Sequence, residues 1–418
     1  MGEYHIIGGG RLSGEVRVSG SKNAVLPMFA AMMLNGSESI LHNCPLIQDT
    51  FTSIEILKHL GCTVTLDGNT VTVDSQGAYA WHLPEGFTRK MRSSILFMGG
   101  LIGRFRKADI SLPGGCKLGI RPIDLHIKTL SAMGCSIQEN GMLICRADHL
   151  KGTRIHLSFP SVGATENIML AAVLADGETV LLNAAREPEI VDLARFLKAM
   201  GADIHGAGSD TIVIRGVKKL HSVEYRAMPD RIVAGTYLAA AAITAGEATL
   251  TDVCPLDLVP VISKFAEMGC HINETADKIS LKAPPRLQFI SKLETQPHPG
   301  FPTDLQAPFV AALSVAEGAS VVEENVFNSR SGHIPELTRM KADIMVMQDG
   351  RNFVIRGTEK LRGAAVEATD LRCGAALIIA GLAAEGETIV TEGHHVERGY
   401  EDIVRDLREL GANIRHYS

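Results

Sequence analysis

The stretch "ILKHLGCTVTLDGNTVTV" (residues 56–73) reads as the end of an amphipathic helix, a glycine stop, an alternating strand, a polar turn and a second strand. The pattern returns at "TLSAMGCSIQENGMLICRA" (129–147), "FLKAMGADIHGAGSDTIVIRG" (196–216), "KFAEMGCHINETADKISLKA" (264–283) and "TRMKADIMVMQDGRNFVIRG" (338–357). A sixth copy, "LRELGANIRHYS" (407–418), stops before its second strand. Equivalent positions 61, 134, 201, 269, 341 and 411 recur about every 70 residues, which marks a repeated supersecondary unit.

Upstream of each copy lies a second kind of segment: "SKNAVLPMFAAMMLNG" (21–36), "RKMRSSILFMGGLIG" (89–103), "SVGATENIMLAAVLADG" (161–177), "DRIVAGTYLAAAAITAG" (230–246), "PTDLQAPFVAALSVAEG" (302–318) and "TDLRCGAALIIAGLAAEG" (369–386). These are almost wholly apolar, so each predicts a helix buried on all sides. Each repeat therefore reads β-α-β-α-β-β, and six copies divide as three plus three into two similar α/β domains.

Composition narrows the function. The 418 residues carry a net charge of −6, so no basic field exists to release counterions from a nucleic acid, and none is expected as partner. No apolar run reaches roughly 18 residues and the start "MGEYHIIGGG" lacks signal-peptide character, so neither a membrane nor export is expected. Eight cysteines without a Cys-x-x-Cys pair fit reduced thiols in a cytoplasm. No metal site or cofactor fingerprint emerges.

The starts of the apolar helices carry polar groups: Lys22 and Asn23, Arg89, Lys90 and Arg92, Ser161 and Thr165, Asp230 and Arg231, Asp304, and Asp370 and Arg372. Helix capping accounts for the uncharged and acidic ones. Cations oppose the positive end of a helix dipole, so several of them at helix starts point to a bound anion. Arg121, Arg186, Arg330 and Arg398 precede four of the amphipathic helices. If the repeats are pseudo-symmetric, these groups line a cleft between domains suited to a small polyanion. The loop "SLPGGCKLGIRP" (111–122) sets Cys116 between glycines and Lys117, near Arg121, where its thiol pKa is expected to fall. Cys62, Cys135 and Cys270 instead share a repeat position with Ala202 and Ala412 and read as small core residues.

The motifs "GSKNAVLP" (20–27), "RKMRSS" (89–94), "LPGGCKLGIRPIDLH" (112–126), "SVGATENIM" (161–169), "AREPEIVD" (185–192), "PDRIVAGT" (229–236), "FPTDLQ" (301–306), "ATDLR" (368–372) and "ERGY" (397–400) resemble, in order and along essentially the whole chain, the UDP-N-acetylglucosamine 1-carboxyvinyltransferase family of enolpyruvyl transferases. The resemblance implies a two-domain inside-out α/β barrel. One domain would be residues 1–20 with 230–418, and the other residues 21–229. It implies transfer of the enolpyruvyl group of phosphoenolpyruvate to the 3-hydroxyl of UDP-N-acetylglucosamine, with phosphate released, as the first committed step of peptidoglycan synthesis. Monomer or weak homo-oligomer is the expected state.

By the same resemblance, Cys116 delivers a proton and forms an adduct with phosphoenolpyruvate, and Asp304 takes the hydroxyl proton. Lys22, Asn23, Arg121, Arg372 and Arg398 match phosphoenolpyruvate-binding positions. Asn23, Arg92, Arg121, Pro122, Ile123, Asp124, Leu125, Ser161, Val162, Gly163, Asp304 and Val326 match contacts to the sugar nucleotide. Glu187, Arg330 and Asp370 are supporting residues, with Glu187 expected to pair with an arginine; Arg92 and Arg372 complete the cationic wall, and their plain structural alternative is an ion pair with a neighbouring acid such as Asp370. His126 reads as surface or structural. Gln48 and Phe159 stand where some members carry lysines, and "FNSRSGHIPEL" (327–337) replaces the usual Phe-Glu-Asn-Arg-Phe-Met-His run. Two other readings stay open: the enolpyruvyl transferase acting on shikimate 3-phosphate, which lacks the Gly-Gly-Cys signature, and a non-catalytic UDP-sugar sensor, which needs neither thiol nor base.

Overall fold

The structure is a computed structural model that describes residues 2–112 and 123–417; the sequence-predicted Cys116, Lys117, Arg121 and Pro122 lie outside the described residues. Two compact units divide the chain, residues 2–19 with 229–417 and residues 20–112 with 123–228. Each has a core of its own, built around Phe265, Phe309 and Phe353 in the first and Phe29, Phe97 and Phe196 in the second.

Six helices fill these cores: α1 (Lys22–Ala31), α2 (Phe97–Phe105), α3 (Val162–Ala172), α4 (Arg231–Ile243), α5 (Gln306–Leu313) and α6 (Leu371–Ala383). Their lack of a polar face leaves them no solvent-facing option, and every residue of α4 is buried. Amphipathic helices such as Pro188–Ala199 bury one face and end at a glycine. Gly61, Gly134, Gly201, Gly269 and Gly411 take φ of 95°, 96°, 98°, 86° and 90° there, the left-handed C-terminal stop that glycine adopts without a Cβ penalty. In the fifth repeat Lys341 holds the same conformation at φ 71°.

The strands form six separate sheets of four, outside the buried helices, and none closes into a barrel among the described residues. In the sheet of the third repeat, Arg154–His156 runs parallel to Glu178–Leu182, which pairs antiparallel with Thr211–Arg215, itself paired with Asp203–His205. The β-α-β-α-β-β reading accounts for this order.

In two places the pairing departs from simple tandem copies. Strand Ser13–Arg17 precedes α1 in sequence, yet it pairs parallel with Glu247–Thr251, which follows α4. Strand Val223–Arg226 precedes α4, yet it pairs parallel with Glu38–His42, which follows α1. The first strands of the first and fourth repeats are exchanged. An alternating pattern fixes which face of a strand is buried but not which neighbour it joins, so the local pattern is silent on this and only the resemblance, which groups residues 1–20 with 230–418, points to it. The truncated sixth copy is completed the same way: Glu3–Ile7 inserts antiparallel between Glu387–Thr391 and Asn413–Tyr417. No helix among the described residues is long and apolar enough to cross a membrane.

Candidate active site

In the unit that carries α4 to α6, the site is built around Asp304. This residue lies in a single 3-10 turn, Thr303–Leu305, leading into α5, and its side chain does not cap the helix. Arg330 donates from Nη2 to Asp304 Oδ1 at 2.8 Å, and Arg372 Nε stands 3.3 Å from the same oxygen. The side chains of Arg330 and Arg372 are only 5% and 8% exposed, whereas that of Asp304 is 26% exposed. The two cations are therefore sunk behind the carboxylate, and the carboxylate is the part that solvent or a ligand can reach.

Burial by itself would raise the Asp304 pKa, but the guanidiniums of Arg372 and Arg330 outweigh it and hold the carboxyl far below the usual carboxylate range. Burial likewise disfavours the charged form of Arg372, and Asp304 reverses that. The structural alternative, an ion pair of Arg372 with Asp370, is not the one formed. Asp370 instead caps α6, accepting from Arg372 N at 2.8 Å and Cys373 N at 3.2 Å, while the Arg372 side chain turns to Asp304.

Two residues that the sequence reading did not single out hold this cluster. Glu324, 1% exposed, accepts from Thr303 Oγ1 at 2.9 Å and from the backbone N–H groups of Val326 and Phe327 at 2.9 and 3.0 Å. Thr303 in turn accepts from Arg330 Nη1 at 2.7 Å. Glu324 therefore fixes both the turn that carries Val326 and the arginine that grips Asp304. The Phe327 ring lies under the Arg330 guanidinium, 4.8 Å from centroid to Cζ. Arg398 closes a 3-10 segment, Gly393–Arg398, and the next helix begins only at Ile403. A Cβ on Gly399 would meet Leu371 at 2.6 Å, so glycine there lets the Arg398 segment lie against the start of α6.

In the other unit, the starts of α1 and α3 and the segments leading into α2 and the helix Asp124–Ala132 carry the remaining candidates. Lys22 opens α1 and pairs at 2.8 Å with Asp49, whose side chain is 2% exposed; Asp49 was not among the sequence candidates. Asn23 follows Lys22 in the first turn of α1. Arg92 opens the 3-10 turn Arg92–Leu96 that runs into α2. Ile123 is the N-cap of the helix Asp124–Ala132, which places Asp124 and Leu125 in its first turn. Ser161 caps α3 by accepting from Ala164 N at 3.4 Å, and Val162 and Gly163 begin that helix. Glu187 is the N-cap residue of Pro188–Ala199. Burial and then Glu189 and Glu187 push Glu166 well above the usual carboxylate range.

His126 is not a surface residue. It is 8% exposed, and its Nδ1 meets Asn167 Nδ2 at 2.7 Å. Cys62 and Cys270 are buried, and burial pushes their thiols up to about 12, which fits inert core residues. Cys135 is buried as well.

A family model described as EPSP synthase (3-phosphoshikimate 1-carboxyvinyltransferase) matches residues 6–407. Among proteins of curated function, UDP-N-acetylglucosamine 1-carboxyvinyltransferase 2 of Caldanaerobacter subterraneus subsp. tengcongensis is 52% identical over 415 residues, 99% of each chain. The chain belongs to the EPSP synthase-type enolpyruvyl transferase family. UDP-N-acetylglucosamine 1-carboxyvinyltransferase of Gloeobacter violaceus is 47% identical over 414 residues, 99% of this chain and 90% of that one. The crystal structure of the enolpyruvyl transferase NikO from Streptomyces tendae superposes with a TM-score of 0.89 at 28% identity, covering 99% of this chain and 98% of that one.

Within this enolpyruvyl transferase, the altered run 327–337 retains the parts that shape the cluster: Phe327 stacks on Arg330, and His333 is buried at the start of the helix His333–Arg339. Gly332 packs so closely on Thr369 that a Cβ would meet its Oγ1 at 2.4 Å, and a small residue there brings the loop against the start of α6. Phe159 is partly exposed, and Gln48 opens the helix Gln48–His59 that also carries Asp49.

Proposed function

We propose that the chain transfers the enolpyruvyl group of phosphoenolpyruvate to the 3-hydroxyl of UDP-N-acetylglucosamine, releasing phosphate. The observation that carries the reading is Asp304 under two buried guanidiniums, in a chain 52% identical from end to end to a relative named for this reaction. The nearest approach of each arginine is to Oδ1, and the Asp304 carboxylate is the group that receives the sugar hydroxyl proton. A carboxylate held so far down is a weak base, so proton transfer accompanies C–O bond formation rather than preceding it.

Phosphoenolpyruvate brings a phosphate and a carboxylate. Lys22 as a point charge and Arg121 and Arg398 as two-pronged guanidinium forks hold them, with Asn23 beside them and Arg372 lending positive charge from behind Asp304. Cys116 gives its thiol proton to C3 while the sugar oxygen adds to C2, producing a tetrahedral ketal. In the elimination a C3 proton returns to the Cys116 thiolate as the C2–O bond to phosphate breaks, yielding the enol ether, inorganic phosphate and the restored thiol. The thiol also adds to C2 of phosphoenolpyruvate as a side adduct. Arg92, Pro122, the segment Ile123–Leu125, Ser161–Gly163 and Val326 orient the sugar nucleotide.

Residues 1–20 with 230–418 supply Asp304 and Arg398, and residues 21–229 supply Lys22 and the Cys116 loop, as two domains of one catalyst. On this reading the reaction belongs to the cytoplasm, at the entry to cell-wall synthesis and hence to cell shape and division. The protein acts as a monomer or weak homo-oligomer. The test is phosphate release from phosphoenolpyruvate with UDP-N-acetylglucosamine or shikimate 3-phosphate as acceptor. Release with the UDP-sugar alone supports the reading. Release with shikimate 3-phosphate, or binding of the UDP-sugar without release, contradicts it.

A further inference from the structure

Asn167 sits in the middle of α3, fully buried, where apolar residues would be expected. Three elements meet on its amide. Oδ1 accepts from the backbone N–H of Gly99 in α2 at 2.7 Å. Nδ2 lies 3.1 Å from the carbonyl of Ile95, in the turn that begins at Arg92, and 2.7 Å from His126 Nδ1, at the start of Asp124–Ala132. Gly99 allows this junction: a Cβ there would meet the Asn167 carbonyl oxygen at 2.5 Å.

The amide orientation is dictated by backbone. Only an oxygen can accept from Gly99 N–H, so the other terminal atom is the NH₂ group. One of its hydrogens goes to the Ile95 carbonyl, which can only accept, and the other points at His126 Nδ1. That ring nitrogen must then be bare, so the ring proton is on Nε2. The Nε2 edge of the ring faces Gly163 in the first turn of α3; a Cβ built on Gly163 would lie 3.1 Å from Cε1 and 3.4 Å from Nε2.

We propose that Asn167 is a positioning residue for the sugar nucleotide: it locks His126 as a neutral imidazole whose Nε2–H is presented beside Gly163 to an oxygen of that ligand. The inference rests on the proposed function only for the identity of the ligand. A neutral donor suits the place. The N-terminus of α3 is already electropositive, and Arg92 adds a full charge, so an imidazolium would be repelled. Burial first, then Arg92, lower the His126 pKa to about 4, with Asp124 opposing. Glu166, the ionisable residue of α3, is instead influenced by Glu189 and Glu187. Through the same amide, Asn167 also ties the turn that carries Arg92 to the helix that carries Asp124 and Leu125.

The test begins with the unaltered protein. Imidazole nitrogen NMR on histidine-labelled enzyme, with His126 assigned by its disappearance in His126→Gln, should show a protonated Nε2 and a bare Nδ1 unchanged from pH 8 to 5.5. A proton on Nδ1, or titration of His126 above pH 6, overturns the proposal. Asn167→Asp replaces the NH₂ by an acceptor, so the ring proton should move to Nδ1 and His126 should titrate in that range. KM for UDP-N-acetylglucosamine should rise about tenfold, equivalent to about 1.4 kcal/mol. KM for phosphoenolpyruvate and kcat should stay within about twofold. If all three constants move together, Asn167 is a packing residue and the proposal fails. His126→Gln, which keeps a donor near Nε2, should bind the UDP-sugar better than His126→Phe; equal binding overturns the donor role. Failure of unaltered enzyme to bind the UDP-sugar would refute the functional reading instead, leaving the tautomer result to stand or fall alone.

Discussion

The two units repeat one motif three times each, yet one junction in each is built from opposite chemistry, and the Lys22–Asp49 pair at α1 is a further ionic place in the second unit. Around α5 and α6 the polar atoms are ions: Asp304 between Arg330 and Arg372, with Glu324 behind. Around α2 and α3 the central polar junction is neutral, an amide and an uncharged imidazole, with Asn167 and His126 tying three elements together. The fold supplies the places, and a handful of side chains decides whether a place handles protons and anions or holds a shape. A buried ion cluster is costly to assemble and is useful where charge is transferred. A saturated amide junction is cheap to keep and rigid.

The contrast breaks most visibly at the ions. Asp304→Asn should preserve packing and lower kcat by roughly 10²- to 10⁴-fold, the range associated with a positioned base. Steady-state phosphate release measures it, and a loss below about tenfold would remove Asp304 from proton transfer. Packing differs next. Gly99→Ala puts a methyl against the Asn167 backbone and Oδ1, whereas Gly235→Ala meets the tip of the Leu305 side chain at 2.4 Å. The first should cost about 1–3 kcal/mol, and the second less because Leu305 can rotate. Urea unfolding separates them.

Acid sharpens the comparison further. Burial lowers His126 and His333 to about 4. Their folded pKa values lie below the unfolded value of about 6.5, so the stability tied to each neutral ring is complete above that pH and is lost as pH falls toward 4. Each contributes a slope of up to about 1.4 kcal/mol per pH unit, and His126→Phe or His333→Phe should flatten the loss in its own unit. Asp304, also depressed, contributes stability that is complete above the unfolded carboxylate value of about 3.9 and is lost progressively as pH falls below it. The smallest effect is conformational: Lys341→Gly should stabilise by about 0.5–1 kcal/mol, because it relieves a left-handed lysine where the other repeats use glycine.

Much of the fold was legible because its signals are local. The glycine stops, the alternating strands and the six apolar helices follow from spacing within single repeats. The exchanged strands were not legible in the local pattern, since Val16 beside Leu250 and Tyr225 beside Leu41 join segments far apart in sequence with equally good patterns elsewhere; only the resemblance grouped residues 1–20 with 230–418. At the site, the helix starts announced Lys22, Ser161 and Asp304, but not their partners. Asp49, Glu324 and Asn167 look like ordinary polar residues in sequence; only the crossing of helices turns them into a counter-ion, a clamp and a junction. Arg372 shows the limit most plainly, since Asp370 beside it in sequence is a helix cap and its ion partner is Asp304, 68 residues away.

The most direct test mixes enzyme with phosphoenolpyruvate and UDP-N-acetylglucosamine and identifies the sugar product by mass spectrometry, for unaltered protein and for Asp304→Asn. The account predicts the enolpyruvyl ether of the UDP-sugar from the first and at most a trace from the second at equal UDP-sugar occupancy. An unchanged UDP-sugar from both, or equal product from both, would contradict it.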